Sequence, residues 1–296
     1  MLSPATVDRY LRRLGVDRPG PPTVDALRAL HRAHVTRVPY ENLEIQLGRT
    51  TTLDPQESAE RIIAGRGGYC FHLNGALAAL LEALGYEVTH HFGGVHTPFD
   101  AAPPGANGNH MALTVRCEGE LWYLDPGLGG VLYDALPLRA GRYHQDPFRY
   151  VLAASEVTPG GWRLQNDGRG SFLGMDFSLE PAAWQDFIPH HQRLSTSPES
   201  PFVQAACALR RHADGYHALR GLVLTHEDPG GKQQRELTSA DEWFGTLAEV
   251  FGLDLPDVGP AERAALWDRV QAVHRQWLAA QAEQEARDAE QEAARA

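Results

Sequence analysis

The chain has 296 residues, enough for about two domains or three small ones. Hydrophobic residues make up 43% of the sequence and charged residues 22%, which is the composition of a globular protein with a sizeable core. Lys and Arg total 27 against 38 Asp and Glu. The resulting net charge of −11 argues against nucleic acid or an anionic membrane as the main partner.

The cysteines are few and odd in number: Cys70, Cys117 and Cys207. Such a count is not a disulfide framework, so we expect three free thiols in a reducing compartment. The N-terminus lacks an apolar signal segment, and the longest apolar run in a helical pattern, residues 76–81, is too short to cross a membrane. These features predict a cytoplasmic protein with no membrane partner.

The N-terminal part of the chain has the apolar spacing of helices. Polar N-cap residues and C-terminal glycines mark where these helices begin and end. Four helices are predicted: from Ser3 to Gly15, from near Thr23 through His34, from Asp54 to Gly65, and from Cys70 to Gly85. The last helix carries a stripe of leucines, so we expect it to face a core.

From residue 87 onward the pattern changes to short β-type runs separated by glycine and proline. The runs lie at residues 87–92, 111–117, 121–125, 149–152 and 162–165. Turn residues at such short intervals predict an antiparallel sheet or a small barrel. The stretch 98–109 is rich in Pro, Gly and Ala and is predicted to be a loop.

The C-terminal part begins after a Ser- and Pro-rich stretch that is typical of a linker, residues 195–201. The predicted elements beyond it are strands at 202–210 and 219–225 and helices at 239–251 and 259–280. Residues 281–296 carry five acidic and two basic side chains and no apolar stripe. We expect this tail to be solvated, either helical or disordered.

Cys70 differs from the other two cysteines in its sequence surroundings. It follows Gly67 and Gly68, which allow a sharp turn that brings a thiol close to a substrate, and it opens the leucine-rich helix. The positive end of a helix dipole favours the thiolate form of a cysteine. A buried structural cysteine is an equally compatible interpretation at this point. Cys117 and Cys207 have no such surroundings and are interpreted as structural.

A cysteine nucleophile needs a base and a group that orients the base, and His110 and Asp125 are candidates. The strand-like runs that follow His110 and precede Asp125 are joined by Glu118-Gly119, which is typical of a tight hairpin turn. If the loop has an even number of residues, positions 110 and 125 lie directly opposite or diagonal by two. Because side chains alternate between faces, both would then lie on the same face of the sheet.

A structural zinc site is a non-enzymatic alternative for the same region. Its ligands would be Cys70, His72, His110 and Asp125. Structural zinc sites often use paired cysteine spacings, and this chain has no Cys-x-x-Cys motif.

The motifs around these residues resemble those of the arylamine N-acetyltransferases, actinobacterial members in particular. The resemblance covers residues 3–275 and is carried by the following segments: Val38-Pro39-Tyr40-Glu41-Asn42-Leu43, Arg66-Gly67-Gly68-Tyr69-Cys70-Phe71, His110, and Leu124-Asp125-Pro126-Gly127-Leu128-Gly129.

The resemblance implies an α+β fold in three parts with a cysteine-proteinase-like core. A helical bundle, residues 1–88, would carry the nucleophilic cysteine, and an antiparallel β-barrel, residues 89–200, would carry the histidine and aspartate. An α/β lid, residues 201–280, would close a cleft, and residues 281–296 would form the tail.

The implied activity is ping-pong transfer of an acetyl group from acetyl-CoA, as co-substrate, to the nitrogen of a small aromatic amine or arylhydrazine, with some O-acetylation of N-hydroxyarylamines. Cys70 would be the nucleophile, His110 the base and Asp125 its orienter. Arg66 and Glu41 would form an ion pair that supports the cysteine turn. The resemblance implies no metal.

The aromatic and apolar residues near the motifs are candidates for the acceptor pocket: Tyr69, Phe71, Leu128 and Phe202. The chain departs from the family pattern where Pro126-Gly127-Leu128 stands in place of Val-Gly-Phe. It departs again at His72, where the family often has Glu. This histidine adds a titratable group beside Cys70 and is a second candidate for the base.

Two other enzyme classes use the same order of cysteine, histidine and aspartate. An amide synthase of polyketide biosynthesis would take its acyl group from a carrier protein instead of free CoA. A papain- or transglutaminase-like hydrolase would pass the acyl group to water. The triad alone does not separate these classes from an acetyltransferase.

Overall fold

A computed structural model describes residues 1–98, 100–129, 132–170 and 172–293. The N-terminal elements are α1 (Pro4–Leu14), α2 (Val24–Arg37), β1 (Tyr40–Glu41), α3 (Leu43–Gln46), α4 (Pro55–Ile63) and α5 (Cys70–Ala83). The four longer helices confirm the sequence prediction, whereas the short α3 and β1 carry no periodic signal and were not predicted.

Side chains cap three of these helices where the sequence indicated. Ser3 accepts a hydrogen bond from the Thr6 amide, Thr23 from the Ala26 amide, and Asp54 from the Gln56 amide. Helix α5 is buried on every face from Cys70 to Leu81. Small residues such as Ala on the faces away from the leucine stripe allow this close packing, so α5 is the central helix of the N-terminal part.

The middle of the chain forms one antiparallel sheet of eight strands: β2 (Glu87–His96), β3 (His110–Cys117), β4 (Glu120–Leu124), β5 (Leu136–Pro137), β6 (Gly141–Gln145), β7 (Phe148–Ala154), β8 (Trp162–Asn166) and β9 (Gly174–Pro181). Their order in the sheet is β5-β4-β3-β2-β9-β8-β7-β6. The sheet curls into an antiparallel half-barrel where the family resemblance implied a β-barrel, and β5 and β6 are its edges.

The β3–β4 hairpin has the register that an even loop requires. Cys117 pairs with Glu120, and Leu113 pairs with Leu124, so the turn between the strands contains two residues. In this register positions 110 and 125 are diagonal by two and share a face. The hairpin therefore confirms the sequence argument that His110 and Asp125 are brought together.

The C-terminal part contains a 3-10 helix (Trp184–Phe187), α6 (Ile188–Thr196), α7 (Pro201–Gln204), β10 (Cys207–Arg211), β11 (Tyr216–Arg220), β12 (Val223–Asp228), β13 (Gly231–Glu236), α8 (Ala240–Phe251) and α9 (Pro260–Ala293). A second antiparallel sheet has the order β1-β10-β11-β12-β13. The first strand of this sheet therefore comes from the N-terminal part of the chain.

Three predictions for this part are corrected by the structure. The predicted strand 202–210 begins as α7, because Ser200 caps a helical turn led by Pro201, and the strand starts only at Cys207. The predicted strand 219–225 is split between β11 and β12 by a turn at Gly221. The predicted linker 195–201 includes the last two residues of α6 and the first residue of α7. Of the predicted tail, residues 281–293 continue α9, and residues 294–296 lie outside the described residues.

Three hydrophobic cores organise these elements. The first surrounds α5 and extends to Phe187, with Phe202 packed against it. The second lies between the five-stranded sheet and the helices α8 and α9. The third lies on the face of the eight-stranded sheet that points away from α5. Among the residues described, no helix combines the length and apolar character that crossing a bilayer requires.

Buried histidine makes the stability of the helical part sensitive to acid. His34 is fully buried, and its Nε2 lies 2.8 Å from the Tyr10 hydroxyl. Burial, helped by nearby His31 and Arg13, lowers the pKa of His34 to about 3. Below about pH 6.5 the unfolded chain therefore binds a proton that the folded chain excludes. The free energy of unfolding then decreases as the pH is lowered.

We predict that this single group costs the wild type about 2 kcal/mol of unfolding free energy between pH 7.5 and pH 5. His34→Gln keeps an acceptor for Tyr10 but does not titrate. Between the same two pH values its unfolding free energy should therefore fall by about 2 kcal/mol less than that of the wild type. Urea denaturation at the two pH values measures the difference. His144→Gln, at a half-exposed side chain, is the control. Equal losses in wild type and His34→Gln would contradict the prediction.

Candidate active site

Cys70 is the first residue of α5, and only 2% of its surface is exposed. The turn before it runs close to the segment that leads into β1. A Cβ atom on Gly67 would lie 2.0 Å from the carbonyl oxygen of Pro39, so only glycine fits there. The Tyr40–Gly68 bridge and a hydrogen bond from the Glu41 amide to the Gly68 carbonyl hold the same turn.

Glu41 and Arg66 support this turn in different ways. The buried carboxylate of Glu41 accepts hydrogen bonds from the amides of Leu43, at 2.6 Å, and Gly67, at 3.2 Å. The expected Arg66–Glu41 ion pair has a long N–O distance of 3.9 Å. Arg66 lies closer to Glu44, at 2.5 Å, and to Asp257, at 3.1 Å. Arg66 therefore links the cysteine turn to the C-terminal part of the chain.

His110 and Asp125 form a buried pair at the open end of the β3–β4 hairpin. The Nε2 atom of His110 lies 2.7 Å from Oδ2 of Asp125, and both side chains are at most 2% exposed. The hydroxyl of Tyr123 donates to the same carboxylate oxygen at 2.7 Å. The thiol of Cys70 lies 4.0 Å from the carbonyl of Asn109, next to His110.

The surroundings of His110 favour its protonated form. Burial by itself lowers the pKa of this histidine. The charge of Asp125, the hydrogen bond to Asp125 and the interaction with Cys70 outweigh burial and raise the pKa to about 10. The site can therefore hold an imidazolium at neutral pH, as a thiolate–imidazolium pair requires.

Asn74 is a site residue that the sequence reasoning did not identify. Its Nδ2 donates to Oδ1 of Asp125 at 2.8 Å and to the Met111 carbonyl at 2.5 Å, and its Oδ1 accepts from the Gly127 amide at 2.7 Å. One signal was present in the sequence. Asn74 stands four residues after Cys70, on the same face of a helix that is otherwise almost entirely apolar.

The aromatic and apolar pocket candidates fall into two groups. Tyr69 and Phe202 lie together beside Cys70, with ring centroids 5.0 Å apart, and the Tyr69 hydroxyl contacts Nδ1 of His191 at 2.5 Å. Phe71 is fully buried in the core around α5, and Leu128 is buried in the core of the eight-stranded sheet. Of the four candidates, the three aromatic residues therefore belong to the core around α5, where Tyr69 contacts both Phe202 and Phe71, and Leu128 lies in a different core.

His72 does not join His110 and Asp125. It is 1% exposed, packs edge-on against the Tyr69 ring at 4.6 Å, and burial holds its pKa well below the ordinary value. The zinc alternative is also not supported. In the described portion of the chain, no group of three or more His, Cys, Asp or Glu side chains is placed to hold a metal ion.

The two remaining cysteines lie in surroundings that favour the neutral thiol. Burial raises the pKa of Cys117, and the nearby Glu118 raises it further. Burial likewise raises the pKa of Cys207 to about 12, although Arg220 acts in the opposite direction. Neither thiol is therefore prepared to act as a nucleophile near neutral pH.

Comparison with known proteins gives consistent matches over most of the chain. The sequence profile of an N-acetyltransferase family matches residues 23–258. An arylamine N-acetyltransferase / N-hydroxyarylamine O-acetyltransferase from Salmonella typhimurium is 37% identical over 255 residues, which cover 84% of this chain and 89% of that protein.

Solved structures show the same relationship. The arylamine N-acetyltransferase of Mycobacterium marinum superposes with a TM-score of 0.81 at 30% identity, over 90% of this chain and 99% of that chain. A second structure of the Mycobacterium marinum enzyme, in complex with CoA, superposes with a TM-score of 0.80 at 28% identity, over 90% of this chain and 99% of that chain.

The close approach of Gly127 to α5 provides a test of the site geometry. A Cβ atom at Gly127 would lie 2.7 Å from Cα of Cys70. We predict that Gly127→Ala displaces the cysteine and slows alkylation of Cys70 by iodoacetamide on the order of 10-fold or more, as expected for a displacement of about 1 Å.

Peptide mapping by mass spectrometry measures this rate separately for each cysteine. Gly20→Ala is the matched control, because a Cβ atom there would meet no heavy atom within 4 Å. Equal alkylation of Cys70 in the two glycine variants would show that Gly127 does not set the position of the thiol.

Proposed function

Because this chain belongs to the arylamine N-acetyltransferase family, we propose that it transfers the acetyl group of acetyl-CoA to arylamines or arylhydrazines through an acetyl-cysteine intermediate. The chain is an acyltransferase. What we propose is the catalytic role of each residue and the order of the reaction steps. The observation that carries the proposal is the buried 2.7 Å contact between His110 and Asp125, next to a cysteine at the start of a helix.

In the first half-reaction Cys70 attacks the acetyl carbonyl of acetyl-CoA. Nε2 of His110 is engaged by Asp125, so Nδ1 takes the thiol proton. The tetrahedral intermediate collapses with cleavage of the carbon–sulfur bond to CoA. The CoA sulfur leaves with the proton from His110, and acetyl-Cys70 remains. One thioester replaces another, so this step is close to balanced in energy.

In the second half-reaction the neutral amine attacks the carbonyl of acetyl-Cys70, and His110 accepts the amine proton. The carbon–sulfur bond to Cys70 breaks, and the thiolate is regenerated next to the imidazolium. Both tetrahedral intermediates need a donor for their oxyanion. The proposed donor is the backbone N–H of Cys70, because the N–H groups in the first turn of a helix have no partner within the helix.

The proposed division of labour follows the three parts of the chain. Residues 1–88 supply the nucleophile, residues 89–200 the base and its orienter, and residues 201–280 a lid over a cysteine-proteinase-like core. The contact of Arg66 with Asp257 supports a close association of the lid with the cysteine turn. The Tyr69–Phe202 pair is the proposed wall of the acceptor site.

The direct test is the intact mass after mixing the protein with acetyl-CoA and no acceptor. We predict one acetyl group per chain, its loss in Cys70→Ala, and its discharge by an arylamine faster than by water. Cys207→Ser is the matched control and should still be acetylated, because its thiol lies in surroundings that favour the neutral form.

Each other outcome points to a different function. Discharge by water as fast as by an arylamine would indicate a hydrolase. Acylation by a carrier-bound acyl group but not by acetyl-CoA would indicate an amide synthase. An acetyl group retained in Cys70→Ala would exclude Cys70 as the nucleophile.

The role of Asp125 is tested by removing its charge. Asp125→Asn should lower the pKa of His110, because the charge of the carboxylate is the largest effect that opposes burial. We predict that the single-turnover acetylation rate at pH 7 then falls about 100-fold, within the range of general-base contributions.

Asp146→Asn is the matched control for this experiment. It removes an aspartate that lies 2.9 Å from a histidine, His144, at an exposed site. Stopped-flow or quenched acetylation measures both variants. A similar rate in Asp125→Asn and wild type would remove Asp125 from the mechanism.

A further inference from the structure

We propose that His31 is a positioning residue for the active site: its neutral imidazole holds the backbone at Asp125 and thereby aims the carboxylate at His110. This inference rests on the proposed function of the triad. The observation behind it is that one buried ring contacts both ends of a loop. Nε2 of His31 accepts a hydrogen bond from the Asp125 amide at 3.4 Å, and Nδ1 lies 3.3 Å from the Tyr133 carbonyl.

The two contacts define the tautomer of His31. A backbone amide only donates and a carbonyl only accepts, so Nε2 must be unprotonated and Nδ1 must carry the hydrogen. A protonated ring has no acceptor left for the Asp125 amide. The contact with Asp125 therefore exists only for a neutral imidazole.

The protein keeps His31 neutral although acidic groups lie near it. Burial of the fully enclosed ring lowers its pKa, and Arg32 adds to this effect. Asp134, the Tyr133 carbonyl and Asp125 act in the opposite direction but do not overcome burial. His34, one turn along α2, is a further titratable neighbour.

The Tyr133 carbonyl, which His31 contacts through Nδ1, is held in place by groups other than His31. Asp134 accepts hydrogen bonds from Arg28 at 2.5 Å and Arg32 at 2.6 Å, and both arginines lie on the same helix as His31. Gln145 accepts from the amides of Tyr133 and Asp134 at 2.8 and 3.1 Å and donates to the Asp134 carbonyl at 3.0 Å. The Tyr133 carbonyl is thus a fixed reference for the imidazole.

The contact between His31 and the Asp125 amide affects the proposed reaction through the position of Asp125. Asp125 follows the last residue of β4, so its amide lies just past the strand and the ladder does not set its direction. Its side chain must nevertheless reach His110 within 2.7 Å. His31 supplies a contact at this backbone position that the sheet does not provide, and a small rotation there would lengthen the contact between Asp125 and His110.

His34 separates this role from simple core packing. It lies on the same helix, is also fully buried, and directs its hydrogen bond to Tyr10 and away from the triad. The experiment compares His31→Leu, His31→Asn and His31→Gln with His34→Leu. A glutamine amide can accept from the Asp125 amide and donate to the Tyr133 carbonyl, whereas the shorter asparagine reaches only toward the carbonyl.

Two rates are measured between pH 5 and pH 9, namely single-turnover acetylation and alkylation of Cys70 by iodoacetamide. Urea denaturation of each variant gives its stability. We expect His31→Leu and His31→Asn to lower both rates about 10-fold and to shift their pH profiles, and His31→Gln to restore most of the loss. We expect His34→Leu to lower stability but to leave the rates and profiles of the folded protein unchanged.

Wild-type rates and profiles in folded His31→Asn, or an equal loss in His34→Leu, would overturn the role of His31. If His31→Leu does not fold, the comparison of asparagine with glutamine decides the question alone. Failure of the proposed function would look different. Wild type would then not be acetylated at all, while alkylation, which needs no acyl donor, would still report on the link from His31 to Cys70.

Discussion

The structure depends on one buried carboxylate, that of Asp125. A buried charge is costly unless it is paired and fully hydrogen-bonded. Here three side chains satisfy it: His110 and Tyr123 at one oxygen and Asn74 at the other. They come from β3, β4 and α5, so satisfying this charge requires the helical part and the eight-stranded sheet to meet at one point. Cys70 begins the same helix that carries Asn74, and its position is set by the same contact.

A second set of charges ties the C-terminal part to this point. Arg66 precedes the cysteine turn and contacts Glu44 and Asp257, while Glu41 receives the amide of Gly67. Because β1 pairs with β10, the segment that shapes the turn is also a strand of the C-terminal sheet. The position of the Cys70 thiol therefore depends on contacts from the C-terminal sheet as well as from the helices of the N-terminal part.

The features that could be predicted from the sequence are those set by local rules. Caps at Ser3, Thr23 and Asp54 placed the helices, and the parity of the β3–β4 hairpin brought His110 and Asp125 together. The contacts of Asn74 arise from tertiary packing and leave only a polar residue on an apolar helix as a signal. The strand expected at residues 202–210 failed because apolar residues in a short helical turn look like those of a strand.

The central claim is that Asp125 keeps His110 protonated beside Cys70 in the free enzyme. The most direct measurement is a ¹⁵N NMR titration of the histidine side chains, with the His110 signal assigned by its absence in His110→Gln. The account predicts that His110 remains an imidazolium through neutral pH and loses its proton only near pH 10. Titration of His110 near pH 6.5, the ordinary value for a histidine, would contradict it.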